Sequence, residues 1–285
     1  MGMLENKKII ITGGSMGIGF AVAQKCAEEG ALLILVSRHT DDLKKAVRMI
    51  SGNGQGHRYY RLDVSISGKV KEMADIIEKD LGYIDGLVNC AGIYGPIGRI
   101  DEIDPMEFTN TININLLGTF HMCYYFLPLL KKARRGKIVN YSGGGAAGPF
   151  PNYSAYAVSK TGIVRLTENM ALEFINDNIN IDINAVAPGF VVTRLHQETI
   201  KAGQKAGENF LKKTLEQIDK GGIPSDIAAK LTVFLLSSDS DGITGKFISA
   251  PWDSWEDSNF LTKLKNDKDF ATLRRIDNKM FFTKE

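Results

Sequence analysis

The strongest constraint on the fold is a rhythm in which short apolar runs alternate with longer stretches of helical pattern. The runs at 8–12 (KIIIT) and 32–36 (LLILV) are too short for helices and too uniformly apolar for half-solvated strands. They read as strands covered on both faces. Further strands are predicted at 58–62, 85–89, 137–141, 181–187 and 246–249, and helices over 17–29, 41–50, 68–81, 105–130, 154–174 and 225–236. Such alternation implies right-handed crossovers and a parallel sheet with helices on both faces. The expected fold class is α/β, a doubly wound parallel sheet in a single domain, followed by a tail from about Trp252.

Composition excludes several function classes. The chain has 285 residues, 44% of them hydrophobic and 24% charged, enough to build a core. Its 35 Lys+Arg against 33 Asp+Glu leave a net charge of +2, which argues against charge-driven nucleic-acid binding. No window approaches the ~18 uninterrupted apolar residues of a membrane span. The start, MGMLENKK, lacks the apolar core of a signal peptide. Cys26, Cys90 and Cys123 lie far apart, without the spacing of a disulfide framework or a metal site. A cytoplasmic protein with reduced thiols and no metal is expected.

A glycine-rich turn, TGGSMGIG, lies between the first strand and the first helix. Gly13, Gly17 and Gly19, with Ser15, Met16 and Ile18 among them, would let a dinucleotide pyrophosphate approach the backbone and a helix N-terminus. At the end of the second strand, Ser37 and Arg38 supply no acid for a ribose hydroxyl but do supply a cation, which favours NADP and leaves NAD open. A solvated arginine is the competing reading of Arg38. Asp63 and Val64 end the third strand, and Asn89, Ala91 and Gly92 close the fourth. These are strand-end positions where ligands of open α/β sheets bind. Tyr156 and Lys160 are four apart on a predicted helix and share a face. An ammonium there is expected to depress the phenol pKa from its usual value near 10 and fit it for proton transfer. The competing reading is a packed tyrosine beside a solvated lysine.

The segments TGGSMGIG, LDVS, NCAG, INLLGTF, YAVSK and PGFVVT follow in this order. In them the chain resembles the short-chain dehydrogenase/reductase superfamily over about residues 7–250. The resemblance implies a Rossmann-like core of about seven strands over 1–250, with 251–285 as an extension packing on the domain or on a neighbouring subunit. It also implies NAD(P) as cofactor, hydride transfer to or from a small-molecule carbonyl or alcohol, and a homodimer or homotetramer. Matched by motif, Tyr156 would be the general acid/base, Lys160 would hold the nicotinamide ribose, and Asn115 would anchor a water in the proton relay. Pro188, Gly189, Val191 and Thr193 of PGFVVT would lie against the cofactor.

One position departs from the family. A serine normally binds the substrate oxygen where this chain has Gly143, and Ser142 stands one residue early. A one-residue shift on a strand reverses the side chain, although the following glycines could re-aim it. Three readings stay open: Ser142 replaces the serine, a backbone N–H or water does, or the protein is a nucleotide-binding remnant acting as a sensor or scaffold. A lyase or epimerase with retained cofactor is a further alternative. The small residues at 143–145 leave room for a sugar-like group, and the polar stretch 193–220 offers no apolar stripe for an acyl chain. Trp252 and Trp255, close to Asp253, Glu256 and Asp257, suit a subunit interface, a substrate platform or packing of the tail. The basic stretch Leu273, Arg274 and Arg275, with Phe281 and Phe282 beyond it, suits an anionic contact or a solvated end.

Overall fold

The computed structural model describes residues 2–51 and 56–275. In it the seven predicted strands form one parallel sheet: β1 (Lys8–Thr12), β2 (Leu32–Ser37), β3 (Arg58–Arg61), β4 (Gly86–Asn89), β5 (Gly136–Tyr141), β6 (Ile181–Ala187) and β7 (Phe247–Ser249). Their spatial order is β3-β2-β1-β4-β5-β6-β7. The uniformly apolar runs are the inner strands: Ile9, Ile10, Ile11, Leu33, Ile34 and Leu35 are all buried to within 1%. Edge strand β3 (RYYR) alternates between half-buried and exposed residues, as an edge permits.

Helices cover both faces. On one side lie α1 (Gly17–Glu28), α2 (Thr40–Ile50) and α9 (Ser225–Leu236), with Val22, Leu43 and Leu231 in the core they share with the sheet. On the other lie α3 (Ser67–Leu81), α4 (Pro105–Ile112), α5 (Gly118–Leu130) and α6 (Ser154–Asn176), with Val70, Phe126 and Phe174 in the second core. Above the carboxyl ends of the strands, α7 (Arg194–Ala202) and α8 (Glu208–Asp219) form a cover, and α10 (Ser258–Asn266) belongs to the tail. Among the described residues no helix is long and apolar enough to cross a membrane.

Two elements differ from expectation in ways that bear on the site. The single helix predicted over 105–130 is interrupted between α4 and α5 by a π-helical turn at Asn113–Leu117, which buries Asn115 completely. Such turns recur at functional sites. The stretch 193–220, read as polar, forms α7 and α8 joined by a 3-10 turn at Gly203–Ala206.

The described part of the tail packs on its own domain. Ala271 accepts the Phe247 N–H at 2.7 Å, so the tail satisfies part of the β7 edge, and the Lys246 ammonium donates to the Asp267 and Phe270 carbonyls. Trp255 is 9% exposed, donates Nε1–H to the Ala250 carbonyl at 2.9 Å and lies 6.0 Å from the Phe234 ring. Trp252 is 72% exposed and shares none of this packing. Asp253 accepts the Ser249 N–H, and Asp257 caps α10. Arg274 pairs with Asp269 and Glu168, which makes this basic stretch part of the tail's anchorage, while Phe281 and Phe282 fall outside the described residues. Trp255→Ala should cost about 3–5 kcal/mol of stability, and Trp252→Ala less than about 0.5 kcal/mol, measured by chemical denaturation. Equal costs would contradict this packing.

Candidate active site

The site begins where the sheet order reverses between β1 and β4. The Thr12 hydroxyl accepts the N–H groups of Cys90 and Ala91 at 3.0 and 3.2 Å, tying the turn after β1 to the end of β4. A cleft opens above this tie. Gly13, Ser15, Met16, Gly17, Ile18 and Gly19 form one wall, and Arg38, Asp63 and Val64 stand at the ends of β2 and β3. Ala91 and Gly92 lie at the end of β4, and Thr193 lines the cleft as well. A Cβ on Gly19 would run into the Gly13 carbonyl, so only glycine lets the turn close this tightly. The first turn of α1 carries no acidic residue, and its free N–H groups suit a phosphate. Asp63 is oriented by the Ser65 N–H and hydroxyl at 3.0 and 2.7 Å. A nicotinamide dinucleotide fits this donor set.

Several lining residues had no strong signal in the sequence. Ser37, His39, Leu62 and Cys90 follow from their strand-end positions, but Ile114, Arg194 and Leu195 are brought in by helices folded over the cleft. The Asn89 amide donates to Asn140 Oδ1 at 2.9 Å and to Cys123 Sγ at 3.4 Å, inside the sheet's own core. Pro188, Gly189 and Val191 do not line the cleft; they belong to the turn that carries the chain to Thr193.

Tyr156 and Lys160 sit one turn apart on α6, 9% and 5% exposed. Lys160 Nζ donates to the Tyr141 carbonyl at 2.8 Å and lies 5.6 Å from the centre of the Tyr156 ring. In the π-helical turn, Asn115 Oδ1 accepts the Ile93 N–H at 2.9 Å, while Nδ2 donates to the Ile93 carbonyl at 2.9 Å and to Ser159 Oγ at 3.0 Å. Asn115 therefore clamps the loop after β4 to α6. A Cβ on Gly92 would stand 3.3 Å from Asn115 Oδ1 and 3.5 Å from Lys160 Nζ, so cleft, clamp and lysine meet at one point.

Ser142 is not the residue that faces Tyr156. Its hydroxyl is buried and donates to the Lys160 carbonyl at 3.0 Å. Gly143 is the one turned toward the tyrosine, since a Cβ there would stand 3.0 Å from Tyr156 Oη. The one-residue shift thus reverses the side chain, at two residues that follow directly on β5. Around Tyr156 the walls are aromatic. The Tyr94 ring meets it edge-on at 4.8 Å, Phe150 stacks on Tyr153 at 4.4 Å, and Phe210 of α8 meets Phe150 at 4.8 Å. Leu195, Ala202 and Ala206 join them from the cover. The polar reading of 193–220 therefore does not describe its inner face.

Burial dominates the electrostatics. It pushes the Tyr156 phenol above its ordinary value, with the Cys90 thiol acting in the same direction. This reverses the depression expected from the spacing of Tyr156 and Lys160. Lys160 is itself pushed down to about 8, again by burial. Below that pH the ammonium is charged in both folded and unfolded protein, and its burial cost is felt in full. Between about 8 and the ordinary lysine value of 10.5 the folded state gives up its proton first, so stability from this group rises with pH. In cofactor-free protein, the stability of Lys160→Met relative to wild type should therefore fall by about 2 kcal/mol between pH 7 and pH 9.5. A difference independent of pH, read by thermal denaturation, would contradict the buried ammonium.

Comparison with known proteins bears on this arrangement. The family model described as short chain dehydrogenase matches residues 7–204. An uncharacterized oxidoreductase of Bacillus subtilis is 34% identical over 253 residues, covering 88% of this chain and 91% of its own. A 3-oxoacyl-acyl-carrier-protein reductase of Thermotoga maritima is 34% identical over 247 residues, covering 86% and 96%. The solved structure of an NAD+-bound xylitol dehydrogenase superposes with a TM-score of 0.78 at 28% identity, covering 86% of this chain and 98% of that one. With its seven-stranded parallel sheet, glycine cradle and Tyr156–Lys160 pair, the chain belongs to the short-chain dehydrogenase/reductase family of NAD(P)-dependent oxidoreductases.

Proposed function

We propose that the protein is an NADP(H)-preferring oxidoreductase that interconverts a carbonyl and a secondary alcohol on a compact, ring-bearing small molecule. The observation that carries this reading is a buried tyrosine set among aromatic walls beside a dinucleotide-type cleft. When bound, the nicotinamide supplies or accepts the hydride. In reduction Tyr156 gives its proton to the substrate oxygen, and in oxidation it takes the proton back. Burial keeps the phenol protonated at neutral pH, which suits the reductive direction. Lys160, which lies beside Gly92 and Asn115, would hold the nicotinamide ribose, and α7 with α8 would keep water away from the tyrosine.

The apolar cluster around Tyr156 consists of Tyr94, Phe150, Tyr153, Phe210 and small or aliphatic neighbours. This favours a ring-bearing substrate over the sugar-like group that the small residues at 143–145 suggest by themselves. The polyol reading rests on the structural likeness to the xylitol dehydrogenase. Names of reductases and dehydrogenases among the relatives favour net hydride transfer over a sensor or a lyase.

The preference for NADP(H) is supported at the end of β2. Ser37 carries no charge, Arg38 and Arg61 border one hollow with His39, and Arg61 Nε donates to the Arg38 carbonyl at 3.2 Å. Asp41 and Asp42 border the same hollow, so the two guanidinium groups act against two carboxylates. By calorimetry, NADPH should bind more tightly than NADH, and Arg38→Ala should weaken NADPH by about 10- to 100-fold while sparing NADH. Equal affinities in the wild type would remove the preference.

The activity is tested with NADPH and acetophenone, cyclohexanone and D-xylulose. Wild type should oxidise NADPH with a cyclic or aromatic ketone faster than with the ketose. Tyr156→Phe should lower kcat by about 100- to 10,000-fold, with NADPH affinity within about threefold. Full activity in Tyr156→Phe would overturn the mechanism, and a preference for D-xylulose would replace the ring-bearing substrate with a polyol.

A further inference from the structure

The glycine at position 143 leaves the reacting oxygen with Tyr156 as partner but without the second side-chain donor that this position would otherwise supply. Most hydroxyls near Tyr156 are already committed. Ser142 donates to the Lys160 carbonyl, Ser159 to the Tyr156 carbonyl, and Tyr153 to Thr199 Oγ1. Thr161 is directed at the carbonyls of Gly145, Ala146 and Ala157.

Tyr94 is different, and the difference comes from His196. The Thr193 N–H points at His196 Nδ1 at 3.3 Å, so Nδ1 is the acceptor and carries no proton. Burial pushes the His196 imidazole down to about 4, so it is neutral and must hold its one proton on Nε2. That nitrogen lies 3.4 Å from Tyr94 Oη, and it therefore donates to the tyrosine. A phenol that accepts in this way keeps its own hydrogen free to donate. Among the described residues Tyr94 has no acceptor for it, although it is only 5% exposed. Its ring is held edge-on between Tyr153 at 5.1 Å and Tyr156 at 4.8 Å, and His196 is packed against Phe190 at 4.0 Å. The hydroxyl is thus uncommitted, dry and held in place, which are the properties of a preorganised donor to developing negative charge.

We propose that Tyr94, oriented by His196, donates the second hydrogen bond to the reacting oxygen of the substrate. The assignment rests on the oxidoreductase reading above. In reduction the carbonyl carbon takes the hydride and the oxygen takes its proton from Tyr156, while Tyr94 keeps its proton and stabilises the oxygen as charge builds on it. Tyr94 would then be a catalytic residue, and His196 a positioning residue acting through it.

The test uses the full chain with NADPH and whichever of acetophenone, cyclohexanone and D-xylulose gives the highest kcat/KM. Tyr94→Phe keeps the ring and removes the hydroxyl. It should lower kcat by about 100-fold, with KM and NADPH affinity each within about threefold and the melting temperature within about 3 °C of wild type. A kcat within about threefold of wild type, alongside an inactive Tyr156→Phe, overturns the role of Tyr94 and leaves the oxidoreductase reading standing. Wild type silent on all three carbonyls, or Tyr156→Phe as active as wild type, overturns that reading and this assignment with it. If Tyr94→Phe loses its fold, two variants of His196 decide. His196→Gln can still donate to Tyr94 and should keep at least about tenfold more kcat than His196→Leu, which cannot; equal kcat values overturn the proposal.

Discussion

Winding decides where this protein can bind anything. The chain leaves β1 toward β2 and β3, then returns past β1 to build β4 through β7, so the connecting segments diverge from the line between β1 and β4. A crevice there is unavoidable, and its floor is fixed by Thr12, whose hydroxyl holds two N–H groups at the end of β4. The glycine turn is built out from that floor on one side. On the other, the loop after β4 runs to Ile93, where Asn115 clamps it to Ser159 on α6. Tyr156 and Lys160 are therefore placed relative to the cleft by a short chain of hydrogen bonds starting at Thr12. The cleft could not shift without moving the tyrosine.

The sheet was legible because burial on both faces leaves a near-continuous apolar run, and each predicted strand is present. The glycine cradle was equally legible, since its glycines are demanded by close backbone approach. What escaped the sequence was direction. Nothing in the pattern of 105–130 marks a π-helical turn, because the segment that follows it, GTFHMCYYFLPLL, is apolar nearly all round and has no narrow stripe in which a shift of phase would show. Nothing in SGGG says which way Ser142 points until the strand register is known. Nothing in NCAG says that the Asn89 amide turns toward Asn140. The segment 193–220 has a polar composition, yet a few well-spaced residues, Leu195, Ala202, Ala206 and Phe210, suffice to line the inner face of two short helices.

Spacing also misled the reading of the tyrosine. In water, an ammonium one helical turn from a phenol would favour the phenolate. Here both groups are buried, and desolvation opposes charge on each. The lysine spends its hydrogen bond on the Tyr141 carbonyl rather than on the phenol. The protein without its cofactor thus holds a neutral phenol beside a lysine that loses its proton unusually easily, and the charge on the pair depends on what shares the pocket with it.

The missing serine and the aromatic walls have a common origin in the glycine run. A Cβ on Gly145 would stand 2.9 Å from the Cβ atoms of both Phe150 and Ala157, so glycine at 145, with its φ of 84°, is what lets the loop fold Phe150 in against α6. Phe150 then stacks on Tyr153 and meets Phe210 of the cover, so a loop without side chains becomes the hinge of an apolar enclosure. The same run places a bare backbone opposite Tyr156 at Gly143. Loss of a polar side chain there and closure of rings around it are two consequences of one local choice. An enclosure of this kind makes each remaining donor count for more, because an oxygen that has left water must find its hydrogen bonds on the walls.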